Sequence, residues 1–204
     1  MSGHPEVWVF FGLIASGKSY LAEFWAARHG FAHLNSDRVR KDLAGAAAKS
    51  GRSAGADQGI YTPEFSRLTY GELLIRAGDE LRRGRSVLLD ASYQSRAERD
   101  RVRNWAAGLG TPVHFVRCIC PEEEVKRRLA LRGADPKAIS DGRWEILQVQ
   151  RKRFEEPTEL DETLLLTIST DRPVEELMDE LDKIYEVNRH VQPHLCPEVP
   201  QGNH

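Results

Sequence analysis

The sequence contains few cysteines, no long apolar run and almost no net charge. Three cysteines cannot all pair within one chain, so we expect reduced thiols. No apolar run approaches the roughly eighteen residues of a membrane span, and the first residues lack a basic-then-apolar signal pattern. We therefore expect a cytoplasmic protein without a membrane partner. A net charge of −2 gives no general attraction to nucleic acid, so any anion site must come from a local arrangement.

Short apolar segments alternate with segments of helical spacing along most of the 204 residues. The five predicted strands lie at 7–11, 31–35, 86–92, 112–120 and 163–169. This alternation predicts parallel strands joined by helical crossovers, with helices on both faces of the sheet. We predict one domain over 1–190 and a loosely ordered tail at 191–204. The small residues of 44–59 predict a mobile loop.

Glycine, lysine and serine follow the first predicted strand. Residues 12–19, GLIASGKS, fit G-x-x-x-x-G-K-[ST] between a strand and a helix. The N–H groups of such a loop cradle phosphates, its lysine reaches the β- and γ-phosphates, and its hydroxyl faces Mg²⁺. This predicts ATP and Mg²⁺ as cofactors, the alternative being an ordinary strand-to-helix turn. Lys18 is predicted to be catalytic as well. The predicted ATP-binding residues are Gly12, Ala15, Ser16, Gly17, Lys18, Ser19 and Tyr20.

The loop also specifies the fold prediction. We predict an α/β P-loop NTPase fold: a three-layer αβα sandwich with a five-stranded, mainly parallel sheet and a small helical lid. The third strand ends in Asp90 after three apolar residues, as does the strand that supports Mg²⁺ in P-loop proteins. We predict Asp90 and Ser19 as metal ligands, with Asp90 also bordering the substrate; the alternative for Asp90 is a turn cap. Ala91 follows instead of glutamate, which argues against a motor ATPase that activates water.

An acid and an arginine follow the second predicted strand. Asp37 falls in the first helical turn, and Arg40 lies three residues later on the same face. Carboxyl ends of strands border the ligand crevice in this fold class. We therefore predict Asp37 to accept a proton from a substrate hydroxyl and Arg40 to bind an anionic group. The alternatives are a helix-dipole acid and a solvated arginine.

Basic residues are concentrated in one later segment. Residues 126–153 hold nine Lys/Arg against three Asp/Glu, and Arg128 and Arg132 share a helix face that leads into a loop at 133–142. A helix, loop and helix with arginines at the rim predict a lid over about 126–153. Its arginines would contact the phosphates during transfer. The alternative is a solvated basic face.

The motifs occur together in an order typical of one family. They are GLIASGKS, NSDRVRK, YTPEFSRLTYGELL, VLLDASYQSRAERDRV and RRLALRGADPKAIS. Over about residues 6–185 the chain resembles the P-loop kinases known as AAA-type ATP-binding proteins. These are similar to the kinase domain of polynucleotide 5′-hydroxyl kinases and, more distantly, to zeta-toxin and gluconate kinases.

The resemblance implies an ATP- and Mg²⁺-dependent transfer of phosphate to a hydroxyl. Asp37 matches the general base, Arg40 the substrate-side arginine, and Arg128 or Arg132 the lid arginine. Arg99 matches an arginine after the acidic strand and is predicted to bind the substrate, with a surface ion pair as the alternative. The acceptor stays open between a small molecule and a polynucleotide 5′ end. Two other functions also stay open, an ATP-binding regulatory module and a switch NTPase without an acceptor.

Overall fold

The computed structural model describes residues 4–49, 62–133 and 144–191. The strands are β1 (Val7–Phe11), β2 (Ala32–Asn35), β3 (Val87–Asp90), β4 (Val113–Ile119) and β5 (Leu165–Ser169). The helices are α1 (Lys18–His29), α2 (Ser36–Lys49), α3 (Pro63–Arg82), α4 (Arg96–Gly108), α5 (Glu122–Gly133), α6 (Trp144–Arg153) and α7 (Val174–Val191). Within these described ranges, no helix is both long and apolar enough to cross a membrane.

The five strands form one sheet in the order β2-β3-β1-β4-β5, and all four pairings are parallel. The fold class predicted from the sequence is therefore confirmed. In the register of the sheet, Asp90 of β3 lies between Phe10 of β1 and Asn35 of β2. The carboxyl ends of the three strands consequently meet at one edge, beside the loop that follows β1.

The central strand β1 is apolar at every position and completely buried, which shows that helices cover both faces of the sheet. Val7, Val9 and Phe11 pack in a cluster with residues of α3 and α4. Trp8 and Phe10 pack in a second cluster, with α1 and α7. The two clusters make the three layers of the sandwich and leave the carboxyl edge of the sheet as the place for a ligand.

Local sequence signals account for the starts of two helices. The Thr62 hydroxyl accepts a hydrogen bond from the N–H of Phe65, and proline begins α3. Ser95 and Glu98 form a complete capping box at the start of α4. These caps satisfy backbone groups that a helix cannot satisfy internally.

The loop predicted at 44–59 is partly wrong, because α2 continues to Lys49. Four alanines among residues 44–49 favour the helix strongly even without an apolar face. The predicted loop at 133–142 and the predicted tail at 191–204 each begin one residue too early, because Gly133 ends α5 and Val191 ends α7. The rest of these two segments and residues 50–59 lie outside the described residues. The division into a domain of 1–190, a lid and a tail therefore stays a prediction.

Candidate active site

The loop between β1 and α1 adopts a conformation that its glycines permit. Gly12 and Gly17 have φ angles of +144° and +83°, and Ala15 is a non-glycine residue at +60°. A Cβ on Gly12 would lie 2.4 Å from the Cys118 carbonyl oxygen, so no side chain fits there. Burial raises the pKa of the Cys118 thiol to about 12, so the thiol stays neutral.

Arg128 and Thr170 hold the loop from outside. The Thr170 hydroxyl donates to the Ser16 carbonyl at 2.5 Å, and Arg128 Nη1 donates to the Ala15 carbonyl at 3.3 Å. Arg128 also donates to the Thr170 hydroxyl, to the Thr170 carbonyl and to Glu124. The N–H groups of Gly17, Lys18 and Ser19, at the start of α1, have no acceptor inside the helix and are suited to an anion.

Lys18 and Ser19 begin α1 directly after Gly17, which is the N-cap and carries no side chain. Both side chains are half-buried. An uncapped helix N-terminus with a lysine in its first turn is suited to binding phosphate. Lys18 is also close enough to help lower the pKa of Asp90.

Asp90 ends β3 as a fully buried carboxylate. Asn35 Nδ2 donates to its Oδ2 at 2.6 Å, and His33 Nε2 lies 3.3 Å from the same oxygen. Burial alone would raise the pKa of Asp90, but the His33 contact, the charge of Lys18 and the Asn35 bond together bring the pKa below its usual value. Asp90 is therefore held as an anion at the edge of the sheet.

The other oxygen of Asp90 fits a metal or a metal-bound water. Oδ1 is buried and has no hydrogen-bond partner among the described residues. Magnesium is held in P-loop proteins by a few oxygen ligands, with waters and substrate phosphates completing its shell. A buried carboxylate oxygen at Asp90 and a hydroxyl at Ser19 supply that donor set, so the residues present fit Mg²⁺.

Asn35 connects Asp90 to the start of α2. Its Oδ1 accepts hydrogen bonds from the N–H groups of Asp37 and Arg38, both at 3.0 Å, and so caps the helix. Asp37 is half-buried in the first turn, and its carboxylate has no hydrogen-bond or ion-pair partner within the described ranges. One asparagine thus positions two carboxylates, one buried and one accessible.

Arg40 is buried rather than solvated, with 8% of its surface exposed. Its Nη1 lies 3.4 Å from the Ser66 hydroxyl of α3. Its charge helps to offset the rise in the pKa of Tyr70 that burial causes. Arg40 therefore lies between α2 and α3, three residues after Asp37 on the same helix.

A comparison with protein families identifies the family to which this chain belongs. A family model described as an AAA domain matches residues 7–157. The chain belongs to this AAA domain family. The match extends from β1 through the P-loop, Asp90 and both helices of the predicted lid. A search of curated protein sequences found no significant match.

Several solved structures similar to this AAA-domain chain are kinases by name. A sugar kinase from Janibacter sp. HTCC2649 is 20% identical, with 93% of this chain and 99% of that chain covered and a TM-score of 0.65. A gluconokinase from Sinorhizobium meliloti 1021 is 21% identical, with 94% and 99% covered and a TM-score of 0.60. An APS kinase from Mycobacterium tuberculosis, solved with AMPPNP and APS, is 20% identical, with 90% and 98% covered and a TM-score of 0.64.

At these identities the similarity establishes the fold. The AAA domain of this chain has the P-loop kinase-like fold, which confirms the family resemblance found in the sequence. The narrower resemblance to polynucleotide 5′-hydroxyl kinases stays a prediction.

Arg99 does not have the substrate-side position expected from the resemblance, and it is not a surface residue either. Its side chain is fully buried and makes an ion pair with Glu159, which is 1% exposed. It also donates to the carbonyls of Tyr93 and Gln94 at 2.9 and 3.3 Å. Because no part of it reaches the surface, Arg99 supports the turn after Asp90 and cannot touch a ligand in this conformation.

The two arginines predicted for a lid differ in position. The Arg128 guanidinium lies beside the P-loop and makes four hydrogen bonds, to Glu124, to the Ala15 carbonyl and to the Thr170 hydroxyl and carbonyl. Its predicted catalytic contact with the phosphates stays a prediction. Arg132 lies in the last turn of α5, and its side chain is outside what the structure describes. The role predicted for Arg132 stays a prediction.

Tyr20 extends from α1 away from the core. It is 57% exposed, and its ring centroid lies 4.8 Å from that of Phe24. Its predicted contact with ATP stays untested.

The sequence reasoning missed four site residues: Thr170, Gln150, His33 and Asn35. Asn35 had a usable signal, since an asparagine before a helix is a frequent cap.

Proposed function

We propose that this protein is a kinase that transfers the γ-phosphate of ATP to a hydroxyl group. The observation that carries the proposal is the Asp90–Asn35–Asp37 arrangement beside the P-loop. It offers one buried anion suited to a metal and one accessible carboxylate without a described partner. A regulatory ATP-binding module would need no such second carboxylate.

The loop and Lys18 bind and orient the phosphates. N–H groups of the loop and the N-terminus of α1 contact the phosphate oxygens, and Lys18 reaches the β- and γ-phosphates. Ser19 and Asp90 would hold Mg²⁺, which supplies neutralisation of phosphate charge when bound. Phosphoryl transfer depends mainly on such positioning and charge stabilisation.

Asp37 acts on the acceptor. Its carboxylate accepts the proton of the attacking hydroxyl as the oxygen forms a bond to the γ-phosphorus and ADP leaves. Arg40 lies three residues further along α2, and we assign its small exposed part to binding an anionic group of the acceptor. Arg132 is the arginine that we assign to the phosphates from the lid, because the guanidinium of Arg128 is occupied by the carbonyls of Thr170 and Ala15.

A small hydroxylated molecule is the acceptor class we test first. The kinases of similar fold are named for sugar, gluconate and APS chemistry, and the net charge of −2 gives no support for a long nucleic-acid interface. A polynucleotide 5′-hydroxyl is the second class, on the resemblance of the motifs.

The test is transfer of labelled γ-phosphate from ATP and Mg²⁺ to a panel of sugars, sugar acids, nucleosides, APS and 5′-hydroxyl oligonucleotides. Asp37→Asn is expected to lower the transfer rate by about 10²–10⁴-fold while ATP binding persists. Asp42→Asn is the matched control, because Asp42 lies on the same helix with an exposed ion pair to Arg76. Lys18→Ala reports on the phosphate site.

The outcomes separate the candidate functions. Transfer that is lost in Asp37→Asn and retained in Asp42→Asn supports the kinase and names its acceptor. ATP hydrolysis at the same rate with and without acceptor, and indifferent to Asp37, indicates a switch NTPase. Tight ATP binding with neither transfer nor hydrolysis indicates a regulatory module.

A further inference from the structure

One glutamine of helix α6 accepts a hydrogen bond from the P-loop. The N–H of Ile14 donates to Gln150 Oε1 at 2.7 Å, across 136 residues of sequence. Ile14 is only 9% exposed, so water has little access to replace this bond. A buried N–H that loses its acceptor is costly, which makes the contact a substantial constraint on the loop.

Apolar packing fixes α6 in the position that the glutamine needs. Leu147 lies three residues before Gln150, on the same face of the helix, and is 1% exposed. It belongs to an apolar cluster with Ile14, Ala15 and residues of α5. The side chain of Gln150 is therefore delivered to the loop by a packed helix rather than by a free segment.

The residue next to this contact is strained. Ala15 has a φ of +60°, which a residue with a Cβ adopts at a cost of about 1–2 kcal/mol. Such a conformation persists only when its surroundings hold it. The Ile14 N–H on one side is held by Gln150, and the Ala15 carbonyl on the other side is held by Arg128.

We propose that Gln150 is a positioning residue of the phosphate loop. By accepting from Ile14 it keeps Ala15 in the left-handed conformation, and the N–H groups at the start of α1, from Gly17 to Ser19, then face the phosphates. Nucleotide affinity is thus set partly by α6, a helix that contributes no residue to the P-loop motif. The inference depends on the proposed function, because it assumes that this loop binds a nucleotide.

The experiment compares three variants. Gln150→Leu keeps the size of the side chain and removes the acceptor, whereas Gln150→Glu keeps an acceptor oxygen. Gln148→Leu is the matched control, since Gln148 lies on the same helix, is half-buried like Gln150 and makes no hydrogen bond within the described part of the chain. Amide hydrogen exchange at Ile14 is measured without nucleotide, and ATP affinity is measured by titration.

We expect Gln150→Leu to speed exchange at Ile14 by about tenfold and to weaken ATP binding by about three- to tenfold. Gln148→Leu should match the wild type in both measurements. Gln150→Glu should keep slow exchange at Ile14, which a general loosening of α6 would not do. The ATP affinity of Gln150→Glu does not test the inference, because the added negative charge repels phosphate by itself.

Slow exchange at Ile14 in Gln150→Leu would overturn the inference, and so would ATP affinity equal to that of the wild type. Fast exchange at Ile14 in Gln150→Glu would also overturn it, and this arm decides the matter if Gln150→Leu does not fold. A wild type that binds no ATP overturns the proposed function instead, which the titration distinguishes from a failure at Gln150.

Discussion

Replacing Glu159 by glutamine should destabilise the protein severely, although Glu159 is far in sequence from every motif. Glu159 and Arg99 form an ion pair whose side chains are 1% and 0% exposed. Glu159→Gln keeps the shape and one acceptor oxygen but removes the negative charge, so the buried arginine charge loses its counter-ion and keeps only neutral acceptors, including two backbone carbonyls. Breaking a buried pair on one side typically costs about 3–5 kcal/mol in the free energy of unfolding.

The assay is equilibrium unfolding in urea, with Glu156→Gln as the control. Glu156 lies three residues away and pairs with Arg117 at 2.6 Å, but its side chain is 64% exposed. That exposed pair should contribute no more than about 1 kcal/mol. The double variant Arg99→Met with Glu159→Leu removes both charges and should recover most of the loss, because neither charge is then stranded.

The same variant should change the dependence of stability on pH. Burial raises the pKa of Glu159, but the hydrogen bond and charge of Arg99 outweigh it and set the pKa below its usual value. A lowered pKa in the folded state stabilises the fold above the unfolded pKa, near 4.3, and this stability is lost as pH falls through the folded pKa. The gap between wild type and Glu159→Gln should therefore narrow below about pH 4. A gap under about 1 kcal/mol at pH 7, or a double variant no better than Glu159→Gln, would refute the reasoning.

Two further substitutions test the site more directly. Gly17→Ala places a Cβ 2.7 to 2.9 Å from the Thr170 side chain and Arg128, at a φ of +83°, and should weaken ATP binding more than about tenfold in a titration. Gly30→Ala is its control, since φ is +69° in open space and only stability should fall, by about 1 kcal/mol. Tyr93→Phe removes a buried hydroxyl with no partner in the described part of the chain, so thermal unfolding should show unchanged or slightly higher stability. A marked loss would mean that this hydroxyl has a partner after all.

The elements of the fold were predictable because their signals are local. An apolar run such as that of β1, or a capping box such as Ser95 and Glu98, is read within a few residues. The P-loop was predictable for the same reason, since eight consecutive residues carry the pattern. Where local signals conflicted the prediction failed, as at 44–49, where alanine favoured the helix and the glycine suggested a loop.

The environment of the site was not predictable from the sequence, because its contacts join distant segments. Arg99 was expected to bind the substrate or to form a surface ion pair, whereas the structure buries it in an ion pair with a residue 60 positions away. Arg40 was also expected at an accessible position, but α3 packs against it and leaves most of it buried. A lone charged residue carries no sign of burial, since burial depends on which element packs over it.

Gly17 shows how the explanation of a residue from the sequence differs from its explanation in the folded structure. From the sequence, its glycine is explained by the turn and by the approach of a phosphate. In the folded chain there is a second reason, because Thr170 and Arg128 already fill the space where a Cβ would lie. The same two residues hold the carbonyls of Ser16 and Ala15, so the side chains that exclude a Cβ also orient the loop. Replacing Thr170 to make room for a side chain at position 17 would therefore remove the support that shapes the loop, and the two requirements cannot be relaxed independently.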